Sequence, residues 1–208
     1  MLIIDYDAGN LRNVQKLAEA LGENATFGNS VEAVNSATSY VLPGVGSFYD
    51  AMRNLNELEI VDALRHNVMV EQKPFLGICL GMQLLGWSSE EGPPIAGLGF
   101  LDLTVRKIKV GNGYRLPHMG WNDIRAKENT ILFRDLPSAP DLYFVHSYHA
   151  ACNDENIVAA TCDYGREMVV AVENKNVFGV QFHPEKSQSF GRTIFKNFLN
   201  YCFELKTK

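Results

Sequence analysis

Cys79 lies between two glycines, Gly77 and Gly81, where an apolar run typical of a strand gives way to one typical of a helix, PFLGICLGMQLL. This is the pattern of a nucleophile elbow, with cysteine in the position that serine holds in many hydrolases. At such a turn the central residue takes strained dihedral angles, and the glycines leave room for neighbouring backbone. The sulfur then lies over the first amides of a helix, which favour an anion. We therefore predict a thiolate nucleophile at Cys79.

A base for this nucleophile is expected among the five histidines, and His183 has the most suitable surroundings. It ends an apolar strand in the segment VFGVQFHPEKS, with Glu185 two positions further on. In extended chain, residues i and i+2 face the same way about 6.5 Å apart, and the intervening proline restricts the geometry. The sequence therefore predicts Cys79, His183 and Glu185 as nucleophile, base and orienting carboxylate.

A glycine-containing turn can complete the site. The segment LPGVGSF follows an apolar strand and carries Gly44 and Gly46, so its backbone can approach a ligand and direct N–H groups at an oxyanion. The amide of Leu80, directly after the nucleophile, can be a second donor. An ordinary turn into a helix with Ser47 as its N-cap would use the same residues, and the two interpretations are compatible.

Two halves of the chain must position these residues. In the first half, short apolar strands alternate with helical stripes, which predicts a parallel sheet buried on both faces. The predicted elements are strands at 1–6, 39–44 and 74–79 and helices at 11–21 and 48–72, the second broken near Leu58. From Gly97 onward, alternating or β-branched segments predict mostly antiparallel strands, and an apolar stripe at 189–205 predicts a final helix. The predicted fold is α/β, a central mostly parallel sheet flanked by helices with an antiparallel extension.

Length and composition exclude several classes of protein. The 208 residues are 46% hydrophobic and 21% charged, which is ordinary for a globular protein, and we predict a single domain over residues 1–208. The net charge is −5 and the 19 Lys and Arg form no long basic run, which argues against a nucleic-acid partner. No window approaches the roughly 20 apolar residues that a membrane-spanning helix needs, so no membrane partner is predicted either.

The cysteines indicate a reducing compartment. The four cysteines lie far apart and without CxxC spacing, in a chain large enough to fold without disulfides. They are Cys79, Cys152, Cys162 and Cys202. We predict reduced thiols and a cytoplasmic protein, with the last three cysteines serving in packing. Because only residues 2–4 form an apolar run and no positive charge precedes Arg12, we also expect no secretory signal.

The motifs together resemble a known family. GICLGMQ, PGVGSF and FHPEKS, in that order, resemble the class I, or triad, glutamine amidotransferases. Three longer segments, IDYDAGNLRNV, LPGVGSF and LPHMGWNDI, are narrower and resemble the glutaminase subunits of imidazole glycerol phosphate synthases. The resemblance runs from the first strand to the final helix.

The resemblance implies a flavodoxin-like fold and a reaction. Cys79 would attack the side-chain amide carbon of L-glutamine, ammonia would leave a thioester, and water would release glutamate while His183 shuttles the proton. The ammonia would pass to a cyclase subunit of (β/α)8-barrel fold, bound as a heterodimer, which forms imidazole glycerol phosphate and an aminoimidazole carboxamide ribotide in histidine biosynthesis. The resemblance implies no metal and no organic cofactor.

Matching motif positions gives further implied roles. Val45 and Leu80 would supply the oxyanion amides. The residues that would line the glutamine site are Gly46, Gln83, Ser147 and Tyr148. The residues that would lie on the partner-facing surface are His118, Met119, Trp121 and Asn122. His149 departs from the family pattern, in which an aromatic residue is more usual, and its role stays open.

Other interpretations remain open at this point. A paralogous glutaminase subunit could supply ammonia to another acceptor, such as a surface sugar. The pyridoxal phosphate synthase and anthranilate systems are less compatible with the glycine segment 43–46. A cysteine hydrolase of a related α/β fold usually takes its histidine from near the elbow, whereas His183 follows Cys79 by 104 positions (183 − 79). A zinc site of Cys79, His183, Glu185 and His146 has suitable donors but no paired spacing.

Overall fold

Strands and helices alternate in the first half of the chain, in a computed structural model that describes residues 1–111 and 113–206. The apolar runs of the three predicted strands are buried along their whole length, as expected where helices cover both faces of a parallel sheet. In chain order the elements are β1 (Leu2–Ile4), α1 (Leu11–Glu19), β2 (Thr26–Gly28), α2 (Val31–Ser36), β3 (Tyr40–Gly44), α3 (Phe48–Glu57), α4 (Val61–Arg65), β4 (Phe75–Cys79) and α5 (Leu80–Gln83). β2 and α2 were not predicted.

The long helix predicted after β3 is divided as expected. α3 ends at its C-cap, Leu58, and Glu59 has φ 57°, which a continuous helix does not allow. α4 follows and ends in a π-helical turn at His66–Val70. At the other end of α3, the hydroxyl of Ser47 accepts a hydrogen bond from the backbone N–H of Asp50 at 3.2 Å, which confirms the predicted N-cap.

The second half is built mainly of strands. They are β5 (Ser88–Ser89), β6 (Leu103–Lys107), β7 (His118–Ala126), β8 (Asp141–His146), β9 (Tyr148–Cys152), β10 (Val158–Asp163), β11 (Glu167–Asn174) and β12 (Val177–Val180), and the final helix is α6 (Gln188–Lys206). The segment 141–152, interpreted from sequence as one strand segment, bends at Ser147. The bend lets β8 pair with β7 while β9 pairs with β6 and β11.

One mixed sheet connects the two halves. Its order is β2-β1-β3-β4-β12-β11-β10-β7-β8, with β6 and β5 attached through β9. In this spatial order, the neighbours β2, β1, β3, β4 and β12 pair in parallel. The neighbours β12, β11, β10, β7 and β8 pair antiparallel. The predicted α/β architecture with an antiparallel extension is confirmed. Because β4 and β12 are parallel neighbours, their carboxyl ends reach the same edge of the sheet.

The sheet has an apolar core on each face. On one face, α1 and α6 bury Val14, Ala18, Phe195 and Phe198. The other face is covered by α3 and α4. None of the helices in the described ranges is both long and apolar enough to cross a membrane. All four cysteines are free thiols. The strands that lead to Cys79 and His183, β4 and β12, are therefore buried on both sides.

Candidate active site

Cys79 occupies the turn between β4 and α5. Its backbone has φ 55° and ψ −107°, a strained combination for any residue other than glycine, which confirms the strain expected at an elbow. A Cβ atom added to Gly81 would overlap the carbonyl oxygen of Leu42, and one added to Gly77 would overlap the backbone of Gly81. Both glycines are therefore required by the close passage of neighbouring chain.

His183 follows β12, the strand beside β4. Its Nδ1 lies 2.8 Å from Oε1 of Glu185, and the two side chains are only 3% and 2% exposed. Its Nε2 is buried and makes no hydrogen bond of ordinary geometry within the described ranges. The carboxylate therefore orients the ring, and Nε2 is the nitrogen left for a proton from the thiol.

The charge state of His183 depends on Cys79. Burial lowers the pKa of His183, but interactions with Cys79 and then with Glu185 outweigh it and raise the pKa to about 9. The sulfur is therefore the largest of the interactions that raise the pKa of His183, although Nε2 makes no hydrogen bond of ordinary geometry to it. Folding has brought together three residues that the sequence predicted as a triad.

A cavity of about 270 Å³ opens at the sulfur. Its walls include every residue predicted for the oxyanion and glutamine sites, namely Val45, Leu80, Gly46, Gln83, Ser147 and Tyr148. Besides Cys79, the other lining residues were not predicted for these two sites, and they are Glu91, Pro117, Val145 and His146. Glu91 could not be inferred from its local sequence, because it lies in a loop whose only visible signal is polarity. The roles of all these residues stay predictions.

The glycine segment after β3 borders the cavity. Gly46 has φ 105°, and a Cβ atom on Gly44 would overlap the hydroxyl of Tyr6. That hydroxyl is buried without a hydrogen-bond partner within the described ranges. Burial and then the nearby Cys79 both raise the pKa of Tyr6. The segment therefore packs tightly on one side while the side chain of Val45, 45% exposed, faces out.

Two buried glutamines lie in series beside the sulfur, and the nearer one contacts it. Nε2 of Gln181 donates to Sγ of Cys79 at 3.6 Å, and Nε2 of Gln83 donates to Oε1 of Gln181 at 3.0 Å. Nε2 of Gln83 also donates to the backbone oxygen of Tyr148 at 3.1 Å. Gln181 was not among the residues predicted for the site, although a glutamine inside the apolar run VFGVQF was a usable signal.

A comparison with known families decides the class of this site. The family described as Glutamine amidotransferase class-I matches residues 2–202. The chain belongs to the class I glutamine amidotransferases. The predicted resemblance is thereby confirmed at the level of the family.

Curated relatives and a solved structure agree with membership of this amidotransferase family. The chain is 43% identical over 197 residues to imidazole glycerol phosphate synthase subunit HisH 2 of Methanococcus maripaludis, covering 95% of this chain and 97% of the relative. It is 41% identical over 199 residues to subunit HisH 1 of the same organism, covering 95% and 97%. A crystal structure described as a glutamine amidotransferase has a TM-score of 0.76 at 20% identity, covering 97% of this chain and 98% of that one, a likeness of fold.

A histidine pair extends the amidotransferase site toward β7. Nδ1 of His146 lies 2.8 Å from the backbone oxygen of Tyr148, and its Nε2 lies 2.9 Å from Nδ1 of His118. Nδ2 of Asn122 lies 3.2 Å from Nε2 of His118. Burial lowers the pKa of His118 to about 4 and that of His146 to about 3, so both rings are neutral.

The tautomers of this pair follow from its ends. The carbonyl of Tyr148 can only accept, so His146 carries its proton on Nδ1 and accepts at Nε2. His118 must then donate from Nδ1, which leaves its Nε2 to accept from Asn122. The hydrogen bonds all run in one direction, from Asn122 on β7 to the wall of the cavity.

The residues predicted for a partner-facing surface divide into two groups. Met119 and Trp121 are 61% and 45% exposed, which is unusual for apolar side chains of this size in a strand. His118 is 2% exposed and, by the alternation of the strand, lies on the opposite face of β7, where its ring packs against Phe144 and Tyr164 and its Nε2 contacts Asn122. The exposure of Trp121 agrees with its predicted place on a surface.

The structure also bears on the zinc alternative, on His149 and on the other cysteines. No group of three or more His, Cys, Asp or Glu side chains arranged to hold a metal ion occurs among the described residues, so a zinc site lacks support. His149 is buried outside the cavity, with Nδ1 3.0 Å from the backbone oxygen of Ala150. Burial raises the pKa of Cys152 and of Cys162 to about 12, which suits thiols that serve in packing.

Proposed function

We propose that this chain is the glutaminase subunit of an imidazole glycerol phosphate synthase, a single domain over residues 1–208 that hydrolyses L-glutamine to glutamate and ammonia. The observation that carries the proposal is the approach of His183, oriented by Glu185, to the sulfur of Cys79 at a cavity of about 270 Å³. This arrangement of nucleophile, base and orienting group is the one that covalent acyl transfer from an amide uses. Similarity to synthase subunits over nearly the whole chain supports the specific assignment.

The reaction uses one thiol and one shuttled proton. The Cys79 thiolate attacks the side-chain amide carbon of glutamine, and the carbonyl oxygen becomes an oxyanion. His183 gives its Nε2 proton to the leaving nitrogen, so the C–N bond breaks, ammonia departs and a thioester remains. His183 then takes a proton from water, whose oxygen attacks the thioester. Glutamate leaves and the sulfur recovers its thiolate.

Backbone amides are proposed to stabilise the oxyanion. Leu80 is the first residue of α5 and lines the cavity beside the sulfur, and Val45 lines it from the turn after β3. N–H groups at these two positions can approach the carbonyl oxygen from two sides. Loss of one such donor costs about 3 kcal/mol of transition-state stabilisation in comparable hydrolases.

The remaining cavity residues are proposed to hold the substrate. The amide nitrogen of Gln83 already makes two hydrogen bonds, so Gln83 would receive the substrate through its oxygen. Gly46, Ser147 and Tyr148 would line the site, and Glu91 adds a carboxylate suited to the α-ammonium group. Glu91 is held in place by the backbone N–H of Phe48, which donates to it at 2.8 Å.

We propose that the protein works in the cytoplasm as a heterodimer with a cyclase subunit of (β/α)8-barrel fold. Met119, Trp121 and Asn122 would form the contact surface, since β7 exposes two large apolar side chains and starts directly after Pro117 in the cavity wall. The ammonia would pass to the cyclase, which produces imidazole glycerol phosphate and an aminoimidazole carboxamide ribotide. No cofactor is proposed for this subunit.

A second candidate acceptor is favoured by one specific observation. Methanococcus maripaludis has two such subunits, HisH 1 and HisH 2, and the chain is about equally similar to both, at 41% and 43% identity. Where two such chains coexist, one can be dedicated to a different ammonia acceptor. Amidation of a surface sugar is therefore the alternative function, with the same chemistry at Cys79.

The test measures glutamate release by the chain alone, with a histidine-pathway cyclase subunit, and with that subunit plus its ribulosyl phosphate substrate. We expect release to rise at each step and to fall by roughly 10⁶-fold in Cys79→Ala. Release that the cyclase leaves unchanged, with activity dependent on Cys79, would assign the chain to another acceptor. Release that is absent under all conditions would contradict the proposed function.

A further inference from the structure

Gln181 is a fully buried polar residue beside the nucleophile. It follows β12 with 0% exposure, and its backbone N–H donates to the oxygen of Val170 at 2.8 Å, which anchors the chain at this point. The next residue, Phe182, packs against Phe144 on the other side. Alternation along the chain thus directs Gln181 and His183 to the same side, where both side chains meet Cys79.

The orientation of the Gln181 amide is determined by its neighbours. The backbone oxygen of Tyr148 can only accept, so Gln83 must present Nε2 to it. The same nitrogen of Gln83 contacts Gln181, whose nearer atom must therefore be the acceptor Oε1. This leaves Nε2 of Gln181 for the sulfur, at 3.6 Å. An amide that could rotate freely would not fix a donor there.

We propose that Gln181 is a positioning residue that holds the Cys79 sulfur as a thiolate by donating an N–H from its fixed side-chain amide. A thiolate accepts such a hydrogen bond more strongly than a thiol, because the charge assists it. The sulfur can alternatively donate its proton to the backbone oxygen of Val145, 3.9 Å away, which favours the thiol. Gln181 and Val145 therefore favour opposite protonation states.

A purely structural role is the competing explanation. Two buried glutamines could simply satisfy each other's hydrogen bonds, and a buried amide without partners would cost stability whatever it faces. The two explanations differ in what happens to the sulfur when the donor is removed without loss of volume. A structural role changes the stability of the fold, whereas a positioning role changes the pH at which the sulfur becomes reactive.

Other titratable groups around the sulfur must be held constant in the test. His183, with Glu185 behind it, and Tyr6 both interact with Cys79. Glu91 and His146 face it across the cavity. None of these residues is altered when only Gln181 is changed. The proposal rests on the proposed function only for the identity of the nucleophile, so its test uses neither glutamine nor a partner.

The experiment measures the rate of alkylation of Cys79 by iodoacetamide as a function of pH in the full chain. In Gln181→Met, which keeps the volume but has no N–H, the midpoint of the profile should rise by about one pH unit, since hydrogen bonds to charged groups are the stronger ones. Peptide mass analysis assigns the label to Cys79. Gln181→Glu, which directs an acceptor at the sulfur, should raise the midpoint further.

The matched control is Gln15→Met, the same substitution on α1, where the Gln15 side chain donates to the backbone oxygen of Ala25. Its profile should coincide with that of the unchanged protein. A folded Gln181→Met protein with an unshifted midpoint would overturn the proposal. If the midpoint shifts but the unchanged protein has no glutaminase activity, the role of Gln181 is supported and the proposed function is rejected.

A second measurement leaves Gln181 unchanged and so does not depend on the variants folding. The side-chain amide proton resonance of Gln181 should move with pH at the midpoint of the alkylation profile. In Cys79→Ala that movement should disappear. A Gln181 resonance that is insensitive to pH in the unchanged protein would refute the assignment.

Discussion

His183 is neutral or charged according to what its Nε2 faces. Burial alone would lower the pKa of His183, and it is the interactions with Cys79 and Glu185 that raise it to about 9. With its pKa raised, the ring favours the charged form at neutral pH, and in the proposed reaction its proton would go to the leaving ammonia.

Removal of the sulfur should reverse much of this shift. In Cys79→Ala, burial and Glu185 act alone on His183, so the pKa of His183 should be lower than in the unchanged protein. The measurement is an NMR titration of the His183 ring carbon in both proteins. An equal pKa in both would mean that the sulfur does not interact with Nε2.

The same shift makes stability depend on pH in a defined direction. A histidine whose pKa is raised in the folded state contributes stability that is complete below its unfolded value, near 6.5, and is lost as the pH rises through the folded value of about 9. In Cys79→Ala the folded pKa of His183 lies closer to 6.5, so the loss should be smaller and should end at lower pH. Denaturant unfolding at pH 7 and at pH 9 gives the comparison.

At the scale of elements, the strands of the core could be predicted because they are buried along their length. β3 and β4 are continuous apolar runs, and the break after α3 occurs at the predicted residue, Leu58. β2 escaped prediction because it is a three-residue edge strand that is mostly exposed and shows no apolar pattern. α2 had a usable signal, since the hydroxyl of Ser30 caps it by accepting from Ala33 at 3.3 Å.

The paired histidines between β7 and β8 provide the prediction at this scale. Both have lowered pKa values, about 4 for His118 and about 3 for His146. Below pH 6.5 these histidines are therefore protonated in the unfolded chain but stay neutral in the folded chain. Stability should fall as the pH drops from 6.5 toward 4, by up to about 1.4 kcal/mol per pH unit for each ring. Buried His149, whose pKa is also lowered, adds to the fall.

The contribution of the pair can be isolated by substitution. His118→Gln keeps a donor and an acceptor but cannot be protonated, so its stability should fall less steeply over this pH range. His66→Gln is the matched control, because the His66 side chain is 62% exposed. Chemical denaturation at pH 4.5, 5.5 and 6.5 measures the slopes. Equal slopes in the His118 variant and the unchanged protein would exclude the buried neutral pair.

At the scale of the whole molecule, the site depends on a contact that no local pattern reveals. β12 comes late in the chain yet lies between β4 and β11, which brings His183 beside Cys79. Each catalytic residue could be predicted from the motif around it. The cavity walls and the Gln83–Gln181 pair could not, because they depend on which strands become neighbours. Chemistry was therefore predictable from local segments, while the supporting contacts required the fold.

The exposed apolar surface on β7 gives a prediction about assembly. Trp121→Ala should weaken binding of the cyclase subunit by about 30-fold or more, since a central tryptophan contributes about 2 kcal/mol or more to an interface. Trp87→Ala is the matched control, because Trp87 is 55% exposed on a different segment. Isothermal titration calorimetry measures both affinities. Equal losses, or none in Trp121→Ala, would place the partner elsewhere.

The central claim is that the sulfur of Cys79 carries the acyl group of glutamine while His183 moves the proton. The most direct measurement is an acid quench of the complex during turnover, followed by mass analysis of its peptides. We predict one glutamyl group on the peptide that contains Cys79, and none in Cys79→Ala. Steady glutamate release from Cys79→Ala, or a glutamyl group on any other residue, would contradict the account.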